Sequence, residues 1–106
     1  MTIIQLANAQ VAWDRDGVLG RKVGDGAGTQ LVHLTLDPGA RLAPHETPMD
    51  VFFHVIAGSG TIEVGEQGFR VRRGDTLFCP RKVLHGVENT GESPLEVLVV
   101  KTPTSP

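Results

Sequence analysis

Residues 38–60 read PGARLAPHETPMDVFFHVIAGSG, and residues 74–89 read GDTLFCPRKVLHGVEN. The run from Val51 to Ile56 is apolar at odd and even positions alike, broken by His54 and followed by Gly58-Ser59-Gly60. A short apolar run rich in β-branched and aromatic residues, bounded by turn residues, reads as a strand covered on both faces. The second segment opens on the turn Arg73-Gly74-Asp75, continues as a strand over Thr76 to Cys79 and enters a loop at Pro80. Each segment also places one histidine within a few residues of a proline, His45 after Pro44 and His85 after Pro80.

Outward from these segments the same grammar repeats. Leu31 to Leu36 reads as a strand closed by Asp37-Pro38-Gly39, Thr61 to Val64 as a strand, and Leu95 to Val100 as another. Phe69 and Val71 alternate with Arg70 and Arg72, which predicts a strand with one wet face. Gly58-Ser59-Gly60 is read as the turn of a hairpin joining Val51–Ile56 to Thr61–Val64. Gly24 to Gly28 is read as a flexible turn, and Ile3 to Trp13 is only weakly patterned. With 13 Gly and 7 Pro, turn signals every eight to twelve residues and no long helical pattern, the chain is predicted to be all-β, a sandwich or barrel. At 106 residues it has room for one domain, spanning 1–106.

Charge and composition exclude several roles. Ten basic and twelve acidic residues are scattered without a cationic stretch, so no nucleic acid partner is expected. No apolar run is long enough for a membrane span, and residues 1–14 lack the basic-then-apolar pattern of an export signal. Cys79 is the lone cysteine and suits a reducing, cytoplasmic setting. Val51–Ile56 and Val97–Val100 are apolar on both faces, which in so small a domain predicts a homodimer that supplies the second cover.

The two quoted segments resemble the two signature segments of the cupin superfamily. That family's first pattern is Gly, five residues, His, one residue, His, three residues, Glu, six residues, Gly; Gly39, His45 and Gly58 match it, while Thr47 and Val51 stand where the second His and the Glu belong. In the second pattern Gly74, Pro80, His85 and Asn89 match, and Lys82 replaces a Gly. The resemblance covers about half the chain and implies an all-β double-stranded β-helix, a jelly-roll cupin barrel, with segments 38–60 and 74–89 lining one site. It also implies a divalent metal ion (Fe, Mn, Ni or Zn) or a small-molecule ligand at that site, in dioxygenase, isomerase, decarboxylase or lyase chemistry, or else a metal-free binding or sensor role.

Read as chemistry, His45 and His85 offer two imidazole nitrogens, and a tight metal site wants at least one more protein ligand. Glu46, Asp50 and His54 are the replacements within reach. Alternation from His45 puts all three on the opposite face, but a bulge at Pro48 would reverse the parity and bring Asp50, Phe52 and His54 inside. His54 is then the first candidate for the third metal ligand. Thr47, Asp50 and Lys82 are candidate ligand-binding residues, with Arg81 and Lys82 placing two cations near the mouth. His33 is read as a packed histidine with one hydrogen bond, and Cys79 as a small buried hydrophobe.

Overall fold

The computed structural model describes residues 3–103, and these form ten strands after a single 3-10 turn, Leu6–Asn8. In chain order they are β1 (Gln10–Arg15), β2 (Val18–Gly26), β3 (Thr29–Leu36), β4 (Arg41–His45), β5 (Asp50–Ala57), β6 (Ser59–Val64), β7 (Gln67–Arg72), β8 (Thr76–Cys79), β9 (His85–Glu88) and β10 (Leu95–Thr102). A six-stranded sheet in the order β1-β2-β3-β10-β5-β8 faces a four-stranded sheet in the order β4-β9-β6-β7. Every pairing is antiparallel. This is the jelly-roll barrel expected for a cupin. Among the described residues no helix is long and apolar enough to cross a membrane.

The period of two explains the packing. Val51, Phe53 and Val55 point inward from β5, and Leu95, Val97 and Val99 do the same from β10, all essentially buried. Ile62 and Val87 meet them from the smaller sheet. Phe52, His54 and Ile56 occupy the other face of β5 and are exposed. The apolar even positions thus lie on the outside of the larger sheet, exposed among the described residues.

Three expectations need correction. Gly58-Ser59-Gly60 does not close a hairpin: β5 pairs with β10 and β8, whereas β6 pairs with β7 and β9, so this is where the chain passes from one sheet to the other. Gly58 makes that corner in a left-handed conformation, φ +81°, against the backbone of Pro94. The expected turn at Gly24–Gly28 narrows to Ala27-Gly28, because Gly24 to Gly26 remain paired with β3. Finally the loop expected after Pro80 ends at the short strand β9, which begins on His85; His45 closes the equally short β4, where Pro44 is tolerated because β4 is an edge strand.

Asn89 shows why the second motif ends on an amide. Its side chain is buried, donates to the carbonyls of Leu36 at 2.9 Å and Ser93 at 2.8 Å, and accepts from the Gly91 amide at 2.9 Å. One residue therefore ties the end of β3 to the loop before β10 with no buried polar atom left unpaired.

Candidate functional site

His45 and His85 come together through a bulge. Along the β4–β9 ladder Arg41 pairs with Glu88 and Leu42 with Val87, but His45 then pairs directly with His85, so Ala43 and Pro44 together oppose Gly86. The extra residue reverses the parity of β4 and turns His45 to the same inward face as His85. Gly86 permits this: a Cβ there would stand 2.8 Å from the Leu42 carbonyl oxygen and 3.0 Å from the Pro44 nitrogen. The bulge lies at Ala43-Pro44, not at Pro48, and alternation does not run on from His45 into β5 because the chain changes sheets between them.

The two imidazoles meet edge to face, centroids 4.5 Å apart with their planes at 61°, and Phe53 packs edge-on against His85 at 5.6 Å. His85 is 3% exposed, while His45 is half-buried and open to solvent on one side. The Nδ1 of His85 lies 3.1 Å from the Val83 carbonyl oxygen and 3.5 Å from the Cys79 sulfur. The Nδ1 of His45 lies 3.3 Å from the Ala43 carbonyl oxygen. A carbonyl only accepts, so in each neutral ring the proton is assigned to Nδ1 and the lone pair to Nε2. Burial, then the neighbouring His45 and Lys101, hold the His85 pKa below the ordinary histidine value, with the Val83 carbonyl opposing. Burial, reinforced by the Asp50 carboxylate, pushes the Cys79 thiol up, so it is a protonated, packed group as expected.

The lowered His85 pKa has a consequence for stability. The unfolded chain takes up a proton near pH 6.5 while the native ring resists it. The native state is therefore favoured above that pH and loses this contribution as pH falls through 6.5 toward the native pKa. Melting curves from pH 7.5 to 5.0 are expected to show a decline that is smaller in His85→Gln; an equal decline in both proteins would refute the assignment.

The remaining candidates separate. His54 is corrected out of the metal set: it sits on the outer face of β5 and shares a 2.8 Å hydrogen bond with the Thr76 hydroxyl. The inward positions of β5 belong to Val51, Phe53 and Val55, so no parity reversal brings it in. Thr47 and Asp50 knit the mouth. The Thr47 hydroxyl donates to the Met49 carbonyl at 3.0 Å, the Thr47 carbonyl accepts from the Lys82 amide at 2.9 Å, and Asp50 accepts from the Arg81 amide at 2.9 Å. His33, packed as expected, meets Glu96 at 3.1 Å on the outer face. Two open hollows, of about 430 Å³ beside Thr61 and Arg70 and about 420 Å³ beside Arg21 and His33, lie away from the imidazole pair.

Lys82, the departure from the family pattern, is left-handed at φ +62°. Asp16 and Ala27 are also left-handed, but each precedes a left-handed Gly in a two-residue hairpin turn, where that conformation is required. Lys82 stands at the third position of the Pro80–Val83 turn, closed by the Val83 amide on the Pro80 carbonyl at 3.4 Å, where a left-handed residue is required and glycine meets that need without strain. A left-handed non-glycine costs about 1–2 kcal/mol, and glycine adds about 0.5–1 kcal/mol of unfolded-state entropy. Lys82→Gly is thus expected to stabilise the protein by up to about 1 kcal/mol, raising Tm by a few degrees; a lower Tm by calorimetry would show that the lysine side chain contributes packing that offsets the strain.

A tightly held divalent ion calls for at least three protein donors converging on one point. His45 and His85 bring two imidazoles within 4.5 Å, and among the described residues no group of three His, Cys, Asp or Glu side chains is placed to hold a metal. Two protein ligands do not fit a tightly held resident ion.

An antiparallel jelly roll with a histidine pair inside one end defines a cupin, and the sequence agrees: residues 32–101 match the cupin-domain family, to which this chain belongs. Among curated relatives it is similar to the tetracenomycin polyketide synthase protein TcmJ of Streptomyces glaucescens, 32% identical over 77 residues that cover 72% of this chain and 52% of TcmJ. The chain spans about half the length of the curated relatives it matches. Among solved structures, a predicted oxalate decarboxylase from Thermotoga maritima superposes with a TM-score of 0.87 at 16% identity, over 97% of this chain and 100% of that one. The polyketide cyclase RemF from Streptomyces resistomycificus superposes with a TM-score of 0.80 at 22% identity, over 95% and 78% respectively.

Proposed function

We propose that this cupin binds a small organic molecule at the open end of the barrel and moves a proton on it with the His45–His85 pair, without a tightly held metal. The observation that carries this reading is the pair itself: two imidazoles 4.5 Å apart, one of them buried and kept neutral. A neutral buried imidazole with a free Nε2 is a base suited to neutral pH. It accepts a proton from an acidic C–H or O–H of the ligand and returns it to another atom of the same molecule, while half-buried His45 shares the charge and the contact with solvent. Such a transfer needs no oxidant. Isomerisation and ring closure are the reaction types it serves, and ring closure is the activity in the name of the cyclase RemF. Exchange of the methylene hydrogens of ethyl acetoacetate for solvent deuterium, followed by NMR, tests the reading. The protein is expected to accelerate exchange well above buffer; no acceleration would end it.

One observation favours a second reading. Both Nδ1 atoms face backbone carbonyls, the arrangement by which proteins orient metal-binding histidines. In that case ligand or water completes the coordination of Fe, Mn, Ni or Zn. Metal that remains stoichiometric through dialysis against a chelator, and on which activity depends, would favour this reading over the first.

The partner proposed beyond the small ligand is a second copy of the chain, in a reducing, cytoplasmic compartment that suits buried Cys79. On the outer face of the larger sheet Phe52 and Phe78 meet in a tilted pair, centroids 5.0 Å apart, at 40% and 46% exposure, next to Val100 and Leu31 in the same cross-strand row. Six strands at about 4.8 Å spacing give a face roughly 25 Å wide, the scale of a standard interface of about 800 Å² per partner. Light scattering is expected to give a dimer for the native chain and a monomer for Phe52→Asp; a native monomer at micromolar concentration would exclude it.

A further inference from the structure

Lys101 lies near the end of β10, beyond the strand end that the sequence suggests. Inward residues of β10 alternate as Leu95, Val97 and Val99, and Lys101 continues that series. The ladder places it directly opposite Val51 on one side and Gln30 on the other, and Val51 in turn opposite Cys79. The inward row Val32, Val99, Phe53, Leu77 is wholly apolar; one step toward the open end, the next row reads Gln30, Lys101, Val51, Cys79. Cys79 touches His85. Side chains directly opposite on neighbouring strands stand about 5 Å apart, so Lys101 stands about 10 Å from Cys79 along this inward row, within range for its charge to act on the His85 ring while leaving room for a small ligand between them. Lys101 is half-buried, has no ion-pair partner among the described residues, and acts on the His85 charge.

A half-buried ammonium with no ion-pair partner among the described residues, one step from a wholly apolar row, is a poor structural choice. It becomes a favourable one when the site receives an anion, because a cation in a partly desolvated cleft attracts and orients negative oxygen. We infer that Lys101 is the anion anchor of the His45–His85 site, so that the ligand is a small organic molecule carrying an oxyanion, either a carboxylate or an ionised phenol. The inference rests on the site reading given under the proposed function and names its ligand class. The ammonium holds the oxyanion at the barrel mouth, Phe53 supplies an apolar wall, and the body of the molecule lies toward the Nε2 atoms. Arg81 and Lys82, both exposed at the rim, add to the positive potential that draws such a ligand in.

The test uses the full chain with three probes at pH 8 in 150 mM sodium chloride: benzoate, 4-nitrophenolate and neutral benzamide. Binding is read from the imidazole signals of His45 and His85 and from calorimetry, in the native protein, Lys101→Met and Lys101→Arg, each checked for a native amide spectrum; Lys101→Gln stands in if the Met variant misfolds. At least one anionic probe is expected to bind at the imidazoles, to weaken tenfold or more in Lys101→Met and to recover within threefold in Lys101→Arg. The tighter of the two anions assigns the oxyanion type. Equal affinity in Lys101→Met, benzamide binding as tightly as benzoate, or displacement by chloride would overturn the anchor and leave the site reading intact. No probe moving either imidazole would overturn both.

Discussion

His85→Gln is expected to fold and to lose proton-transfer activity by about 10²–10⁴-fold, the usual contribution of a positioned general base. Glutamine keeps a similar length and a donor for the Val83 carbonyl, so the loss reports the missing base and not a collapsed wall. The ring is buried against Phe53 with its Nδ1 held by Val83, and the other imidazole of the site, His45, is half exposed. His45→Gln is expected to cost less, since that ring is half exposed and water can replace part of its role. Deuterium exchange into ethyl acetoacetate measures both; a loss under tenfold in His85→Gln would remove this residue from the chemistry.

The largest expected effect on stability comes from Gly58→Ala. Its left-handed conformation costs a non-glycine residue about 1–2 kcal/mol. The added methyl also runs into the Pro94 carbonyl and toward the Leu95 Cα, backbone that belongs to the start of β10 and cannot rotate away. Forcing such a shift costs about 1–3 kcal/mol more. The sum is a large share of the roughly 5–15 kcal/mol that stabilises a domain. A fall in Tm of about 10 °C or more by calorimetry is expected, and a change under about 4 °C would mean that the corner relaxes without cost.

Much of this was legible in the residues. The strands Val51–Ile56, Thr76–Cys79 and Leu95–Val100 carry their pattern locally, because burial on a pleated sheet selects side chains two residues apart. The motif spacings around Gly39, His45 and Gly58, and around Gly74, Pro80, His85 and Asn89, indicated which barrel those strands build. The corner at Gly58 was misread because a glycine-rich hairpin and a change of sheet look alike in sequence: both need a left-handed residue, and only the partners of β5 and β6 tell them apart.

The chain alone thus determined an all-β barrel with two histidines drawn from separate segments, since alternation, turn chemistry and motif spacing are properties of neighbouring residues. Which side chains share the interior was decided by the tertiary structure. One extra residue at Ala43-Pro44 turns His45 inward, the unbroken alternation of β5 leaves His54 outside, and the length of β10 carries Lys101 to the open end. Each outcome depends on the register between strands distant in sequence, and a shift of a single residue there exchanges inside for outside.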